Sequence, residues 1–211
     1  MTQNSGRFWR AGDAGPAALA GERVAVLGYG NLGRAMALNL GDVAARGSEG
    51  SLARVIVGNI DDEYASQARQ DGFTVLPIDQ AVGSADIVFI LLPDEVIPDL
   101  FAGSIAPNLA SGAAMVLASG YNLAYGLVAP PEDVDVLLLA PRMGGEHVRT
   151  RFLSGQGFLA YGSVEQDASG RALDRLLGIA DAAGALQAGL LELDARREAD
   201  LDLFVEQTMG A

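Results

Sequence analysis

Short apolar runs alternate along the chain with stretches whose apolar residues recur at helical spacing, and this alternation predicts an α/β fold with a parallel sheet. Val24-Ala25-Val26-Leu27 is the first such run; it breaks into Gly28, Gly30 and Gly33 and then into a helical pattern through Leu40. That order reads as strand, tight turn, helix. Gly41 to Ser51, rich in glycine and acids, predicts a solvent loop. Arg54 to Gly58 predicts a second strand, Asp62 to Asp71 a polar-faced helix, and Phe73 to Leu76 a short third strand. Asp86 to Leu92 is apolar almost throughout, as a strand covered on both faces must be, and it stops at Pro93. A helix within Glu95 to Asn108, strands at Ala114 to Ala118 and Val134 to Ala140, a strand candidate at Phe158 to Tyr161 and a helix over Ser169 to Ala183 continue the pattern.

The two ends differ from this core. Residues 1–22 predict an arm that packs on the domain through Phe8 and Trp9, with Pro16 opening a short helix. From Leu193 to Met209 the chain turns acidic and amphipathic, predicting a final helix that leaves the sheet. Its Leu201, Leu203, Phe204, Val205 and Met209 call for cover by a partner chain or a further domain. The expected organisation is an arm at 1–22, a dinucleotide-binding domain at 23–192, and the start of a helical region at 193–211.

Composition narrows the chemistry. All fourteen basic residues are arginine, so lysine Schiff-base and lysine acid/base chemistry are excluded within this chain. The absence of cysteine excludes disulfides and thiolate chemistry, and is compatible with a reducing compartment. With a formal charge of -13, general affinity for nucleic acid or anionic membrane is not expected. No charge-free run reaches the roughly 18 residues of a membrane span, which points to a cytoplasmic protein.

In an open parallel sheet, ligands bind beyond the carboxyl ends of the strands where strand order reverses. The glycine turn is the strongest candidate. Gly28 suits the turn dihedrals, Gly30 leaves room for a pyrophosphate, and Gly33 allows close packing of helix on strand. Backbone groups of Tyr29, Asn31 and Leu32, at the helix N-terminus, complete the phosphate cradle. The loop after the second strand carries Asn59, Asp61 and Asp62. Its acids fit two roles: accepting the ribose hydroxyls of NAD while repelling NADP, or starting the next helix. Leu92, Pro93 and Asp94, and then Ser119 and Gly120, follow later strands and belong to the same end of the sheet. Arg142 follows another and suits an anionic substrate group. His147, the single histidine, fits an acid/base group or, more commonly, a surface side chain near a helix start. Glu198, Asp202 and Glu206 share a helix face, which is the pattern of a solvated acidic surface and also of a hard-cation site.

The stretches Val24 to Leu40, Gly72-Phe73-Thr74-Val75-Leu76-Pro77, Ile90 to Val96, Ile105 to Leu109, Asp133 to Val136, Gln166 to Gly170 and Asp202-Leu203-Phe204-Val205-Glu206-Gln207 together resemble the ketol-acid reductoisomerase family over about Leu19 to Gln207. The resemblance implies a Rossmann-type doubly wound sheet, NAD(P)H as cofactor, Mg²⁺ held by Asp202 and Glu206, a C-terminal helix that would begin an all-helical domain, and a homodimer formed through that helical region. The departures fall at the family's chemical positions. Ser119-Gly120-Tyr121 stands where the family has histidine, glycine and an aromatic residue, Arg142 stands for its lysine, and His147 is displaced by one.

Serine is no proton acceptor near neutral pH, so alkyl migration should suffer more than hydride transfer. The expectation is an NAD(P)H-dependent reductase, favouring NADH, that acts on a small C=N or C=O substrate without rearrangement, with Ser119, Arg142, Asp202 and Glu206 as its catalytic candidates. A genuine ketol-acid reductoisomerase and a non-catalytic nucleotide-binding module are the alternatives.

Overall fold

The computed structural model describes residues 6–15, 17–47 and 52–209, apart from the side chains at 206, 207 and 209. The Pro16 helix start and the side-chain role of Glu206 therefore lie outside the described residues. The predicted Rossmann-type α/β architecture is present. Among the described residues nine strands form one sheet: β1 (Phe8–Trp9), β2 (Arg23–Leu27), β3 (Arg54–Gly58), β4 (Thr74–Leu76), β5 (Ile87–Ile90), β6 (Ala114–Leu117), β7 (Asp135–Pro141), β8 (Ala160–Gln166) and β9 (Leu190–Glu192). Their order is β1-β9-β8-β7-β6-β5-β2-β3-β4.

The chain runs outward from β2 through β3 to β4, then returns to β5 on the other side of β2, and this reversal opens a crevice above the β2/β5 pair. The strands from β4 to β7 pair in parallel, while β7/β8 and β1/β9 are antiparallel. The sheet is thus largely parallel and mixed at one side. Successive residues of β2 serve opposite layers: Val24 and Val26 join one hydrophobic cluster, Ala25 and Leu27 the other. Burial on both faces explains why the central strands carry no polar alternation.

Helix α1 (Asn31–Arg46) packs with α6 (Gly145–Leu153) and α7 (Ala172–Ala183) on one layer. Between them in sequence come α2 (Glu63–Gln70), α3 (Ile78–Gly83), α4 (Ile97–Leu100) and α5 (Tyr121–Ala124). α4 continues through a π-helical turn over Phe101–Ile105, and with α3 it covers the opposite layer. Of the loop expected over Gly41 to Ser51, residues 41–46 are instead the last part of α1, and residues 48–51 lie outside the described residues. Gly41 sits inside the helix because a Cβ there would meet the Phe73 ring at 3.1 Å, and the helix ends at Gly47 in the left-handed conformation.

The predicted arm contributes β1, whose Trp9 packs against the core. The strand expected at Phe158 to Tyr161 begins later and runs further, to Gln166. At the sheet end opposite the crevice, buried Arg175 joins Glu22, Asp135 and the Gly112 carbonyl, so its guanidinium is satisfied without solvent. The last helix, α8 (Ala195–Met209), starts against α5. No helix among the described residues is long and apolar enough to cross a membrane.

Candidate active site

The glycine turn divides its three tasks cleanly. Gly28 takes φ +88°, and a Cβ there would lie 2.6 Å from the Leu91 carbonyl oxygen. Gly33 abuts the Gly28 carbonyl, so any side chain would push α1 off the turn. Gly30 has nothing within 4 Å of a would-be Cβ; its open side belongs to no protein atom. Gly30 is also the N-cap of α1 and no side chain caps that end, which leaves the first-turn N–H groups available to an anion. The Asn31 carbonyl packs against Gly145, joining α1 to α6.

Tyr29 points away from this opening. Its buried phenol donates to Asp71 at 2.9 Å, and Arg34 binds the same carboxylate at 2.7 Å. Arg34 holds the Asp71 carboxyl below the usual range despite some burial, whereas burial and then Asp71 push the Tyr29 phenol up.

A cavity of about 680 Å³ runs along the crevice from this turn to Ser119. Gly28, Gly30, Leu32, Asn59, Asp62, Leu92, Pro93 and Asp94 all border it, with part of Tyr29. Its volume suits a cofactor-sized ligand. Ile60, Ile78 and Leu100 give it an apolar wall that the sequence reading missed. The signal was present, since Ile60 is an apolar residue in an otherwise polar loop and is 66% exposed. Both acids of that loop have partners. Asp62 Oδ1 accepts from the Ala65 N–H at 2.9 Å, capping α2, and from Asn59 Nδ2 at 2.7 Å. Asp61 is exposed and faces Arg69 at 3.2 Å.

Beyond Ser119 the site is assembled from distant segments. Asn122 donates to Asp94 at 2.8 Å, and its own Oδ1 has no partner. Burial raises the Asp94 carboxyl, outweighing the hydrogen bonds from Ser119 and Asn122 that lower it. Gly120 lies so close to the Ala195 carbonyl at the start of α8 that no side chain would fit. Its N–H donates to Glu198 Oε2 at 2.7 Å. Arg142 donates from Nη1 to Glu198 Oε1 at 3.1 Å and from Nη2 to Asp202 Oδ1 at 2.9 Å. Its guanidinium also rests over the Tyr161 ring, 5.0 Å from the centroid.

The guanidinium expected to face a substrate anion is therefore bound between two carboxylates of the chain. Burial foremost, and then the neighbouring Asp202 charge, push the Glu198 carboxyl up against the Gly120 and Arg142 contacts. His147 lies exposed on α6. Among the described residues no three or more His, Cys, Asp or Glu side chains are grouped to hold a metal ion. Asp202 Oδ1 is already on the Arg142 guanidinium, and that fixed positive charge beside the carboxylate makes the described donors a poor fit for Mg²⁺.

Crevice, glycine turn and uncapped helix define a dinucleotide-binding domain of the Rossmann type. Residues 18–189 match the family described as acetohydroxy acid isomeroreductase, NADPH-binding domain. The chain is 39% identical over 203 residues to the ketol-acid reductoisomerase (NADP(+)) of Caldivirga maquilingensis, covering 96% of this chain and 60% of that protein. It superposes with a TM-score of 0.89, at 35% identity, on an NADH-preferring ketol-acid reductoisomerase from an uncultured archaeon, covering 95% of this chain and 60% of that one. The chain belongs to the ketol-acid reductoisomerase family, as its NAD(P)H-binding domain, and spans 60% of the length of these two relatives. A semialdehyde dehydrogenase NAD-binding protein from Cupriavidus necator, at 18% identity and TM-score 0.71 over 90% of this chain and 69% of that one, shares the fold alone.

Proposed function

We propose that this chain serves an NAD(P)H-dependent reductase which transfers hydride to a small C=N or C=O substrate without alkyl migration. The observation that carries the reading is the far end of the cavity, where Ser119, rather than an imidazole, meets the end of β6. The dinucleotide supplies the hydride when bound. The turn from Gly28 to Gly33 and the N-terminus of α1 would hold its pyrophosphate, and the apolar wall at Ile60 and Ile78 suits an adenine ring.

At the other end the Ser119 hydroxyl orients the reacting group by hydrogen bonding but cannot deprotonate an alcohol near neutral pH. Alkyl migration requires that alkoxide. An iminium arrives already protonated, so reduction needs hydride alone, whereas a carbonyl also needs a proton donor. No step here is routed through a metal, because the described donors do not fit one.

NADH is favoured over NADPH in this reading. Asp61 neutralises Arg69, the nearby guanidinium that would otherwise attract a 2′-phosphate. A relative whose name marks it as NADH-preferring is among the similar structures, although the Caldivirga relative is named for NADP(+). Exposed Phe204 on α8 supports a homodimer formed through the helical end, and the cysteine-free chain suits the cytoplasm.

A genuine isomeroreductase is the second reading, favoured by the 39% identity to a ketol-acid reductoisomerase. One assay separates them: acetolactate, its rearranged 2-keto acid and a panel of cyclic imines are each offered with NADH or NADPH, with and without Mg²⁺, and products are identified. Reduction of an imine or of the rearranged keto acid with acetolactate untouched is the expected result. Efficient turnover of acetolactate overturns it, and cofactor binding without any hydride transfer would indicate a nucleotide-binding module.

A further inference from the structure

We propose that Arg142 is the built-in cation of this site: clamped between Glu198 and Asp202, its guanidinium takes the place of a divalent ion at Asp202 and makes the site metal-independent. The geometry is that of a held charge rather than a passing surface pair. Two different nitrogens of one planar fork reach two different carboxylates, at 3.1 Å and 2.9 Å. The Arg142 side chain is 21% exposed, the Glu198 side chain 2% and the Asp202 side chain 40%, so the clamp is anchored on its buried Glu198 side. Tyr161 supports the guanidinium face, and the second oxygen of Glu198 is fixed by the Gly120 N–H. Glu198 therefore has both oxygens engaged.

Mg²⁺ demands oxygen ligands at about 2.0–2.1 Å in near-octahedral array. Arg142 holds Asp202 through Oδ1, so an ion taken by the same carboxylate would sit beside a permanently charged guanidinium. Arginine, unlike lysine, does not lose its proton to relieve that repulsion. The same arrangement explains why Glu198, although buried, tolerates its position: a fixed cation and a backbone donor face it. The inference concerns cation occupancy alone and does not depend on which substrate is reduced.

Mn²⁺, read by its EPR signal on the full 211-residue chain, tests it. The unaltered chain should bind no Mn²⁺ up to about 1 mM. Arg142→Met should gain binding by at least about tenfold, and adding Asp202→Asn should abolish the gain. Arg142→Gln, which removes the charge but keeps a hydrogen-bonding side chain, should gain likewise and serves if the methionine variant fails to fold. Circular dichroism and NADH titration on the same samples report folding and the cofactor reading separately. Mn²⁺ binding by the unaltered chain below about 1 mM that is lost in Asp202→Asn overturns the proposal. So does a folded Arg142 variant that binds no better than the unaltered chain.

Discussion

The two ends of the crevice are built by different means. At the cofactor end six consecutive residues do the work, and their requirements are backbone requirements: a positive φ at Gly28, an open side at Gly30, a close approach at Gly33. At the Ser119 end the decisive contacts join residues 56, 60 and 78 positions apart, and their requirements are those of charge. A nucleotide site of this kind is a local geometric device that tolerates change elsewhere. The substrate end is a network in which each side chain's role depends on which partner has already claimed it. Changing one member alters the others.

The largest effect on stability should come from the network. Glu198→Ala removes the acceptor of the Gly120 N–H and one of the two carboxylates on Arg142, and should cost about 2–3 kcal/mol in urea unfolding. A loss below about 0.5 kcal/mol would mean that the contacts are loose surface pairs.

A smaller effect is expected where the cofactor end meets solvent. Asp61→Ser frees Arg69 and should move the NADPH/NADH ratio of dissociation constants about two- to fivefold toward NADPH. No change would place Arg69 out of reach of the ribose.

The smallest effect concerns pH. Arg34 and Arg23 hold the Asp71 and Asp86 carboxyls below their unfolded values, so the folded state binds fewer protons than the unfolded one in that range. Their contribution is present above about pH 4 and is lost as pH falls through the folded values. Asp71→Asn should lower Tm by about 2–4 °C near neutrality and flatten the acid limb of a Tm-against-pH series. An unchanged acid limb would show that the Asp71 pairing with Tyr29 and Arg34 adds nothing.

The same contrast governs what the sequence reveals. The glycine turn, the positions of the central strands and the Rossmann-type sheet are legible because each rests on contiguous residues with one local meaning. Gly41 misleads because glycine has two meanings: it reads as a loop signal, yet here it makes room for Phe73 inside α1, and Gly47 is the true stop. β9 is three residues long and β8 mixes Ser163, Glu165 and Gln166 with its apolar residues, so neither shows the dense apolar run of a central strand. The acidic face of α8 was visible as spacing alone. Nothing local shows that Glu198 turns to Gly120 while Asp202 turns to Arg142, whereas the capping of α2 by Asp62 is one of the two roles its place before a helix offers.

The proposed dinucleotide site at the glycine turn should be self-sufficient, independent of the charge network beyond Ser119. Calorimetric titration of NADH into the unaltered chain, Gly30→Val and Asp202→Asn tests it most directly. A Cβ at position 30 has no protein atom within 4 Å, so the fold should survive Gly30→Val while NADH affinity falls at least about 100-fold, and Asp202→Asn should stay within about threefold of the unaltered chain. Unchanged affinity in a folded Gly30→Val protein, or a collapse in Asp202→Asn, would contradict it.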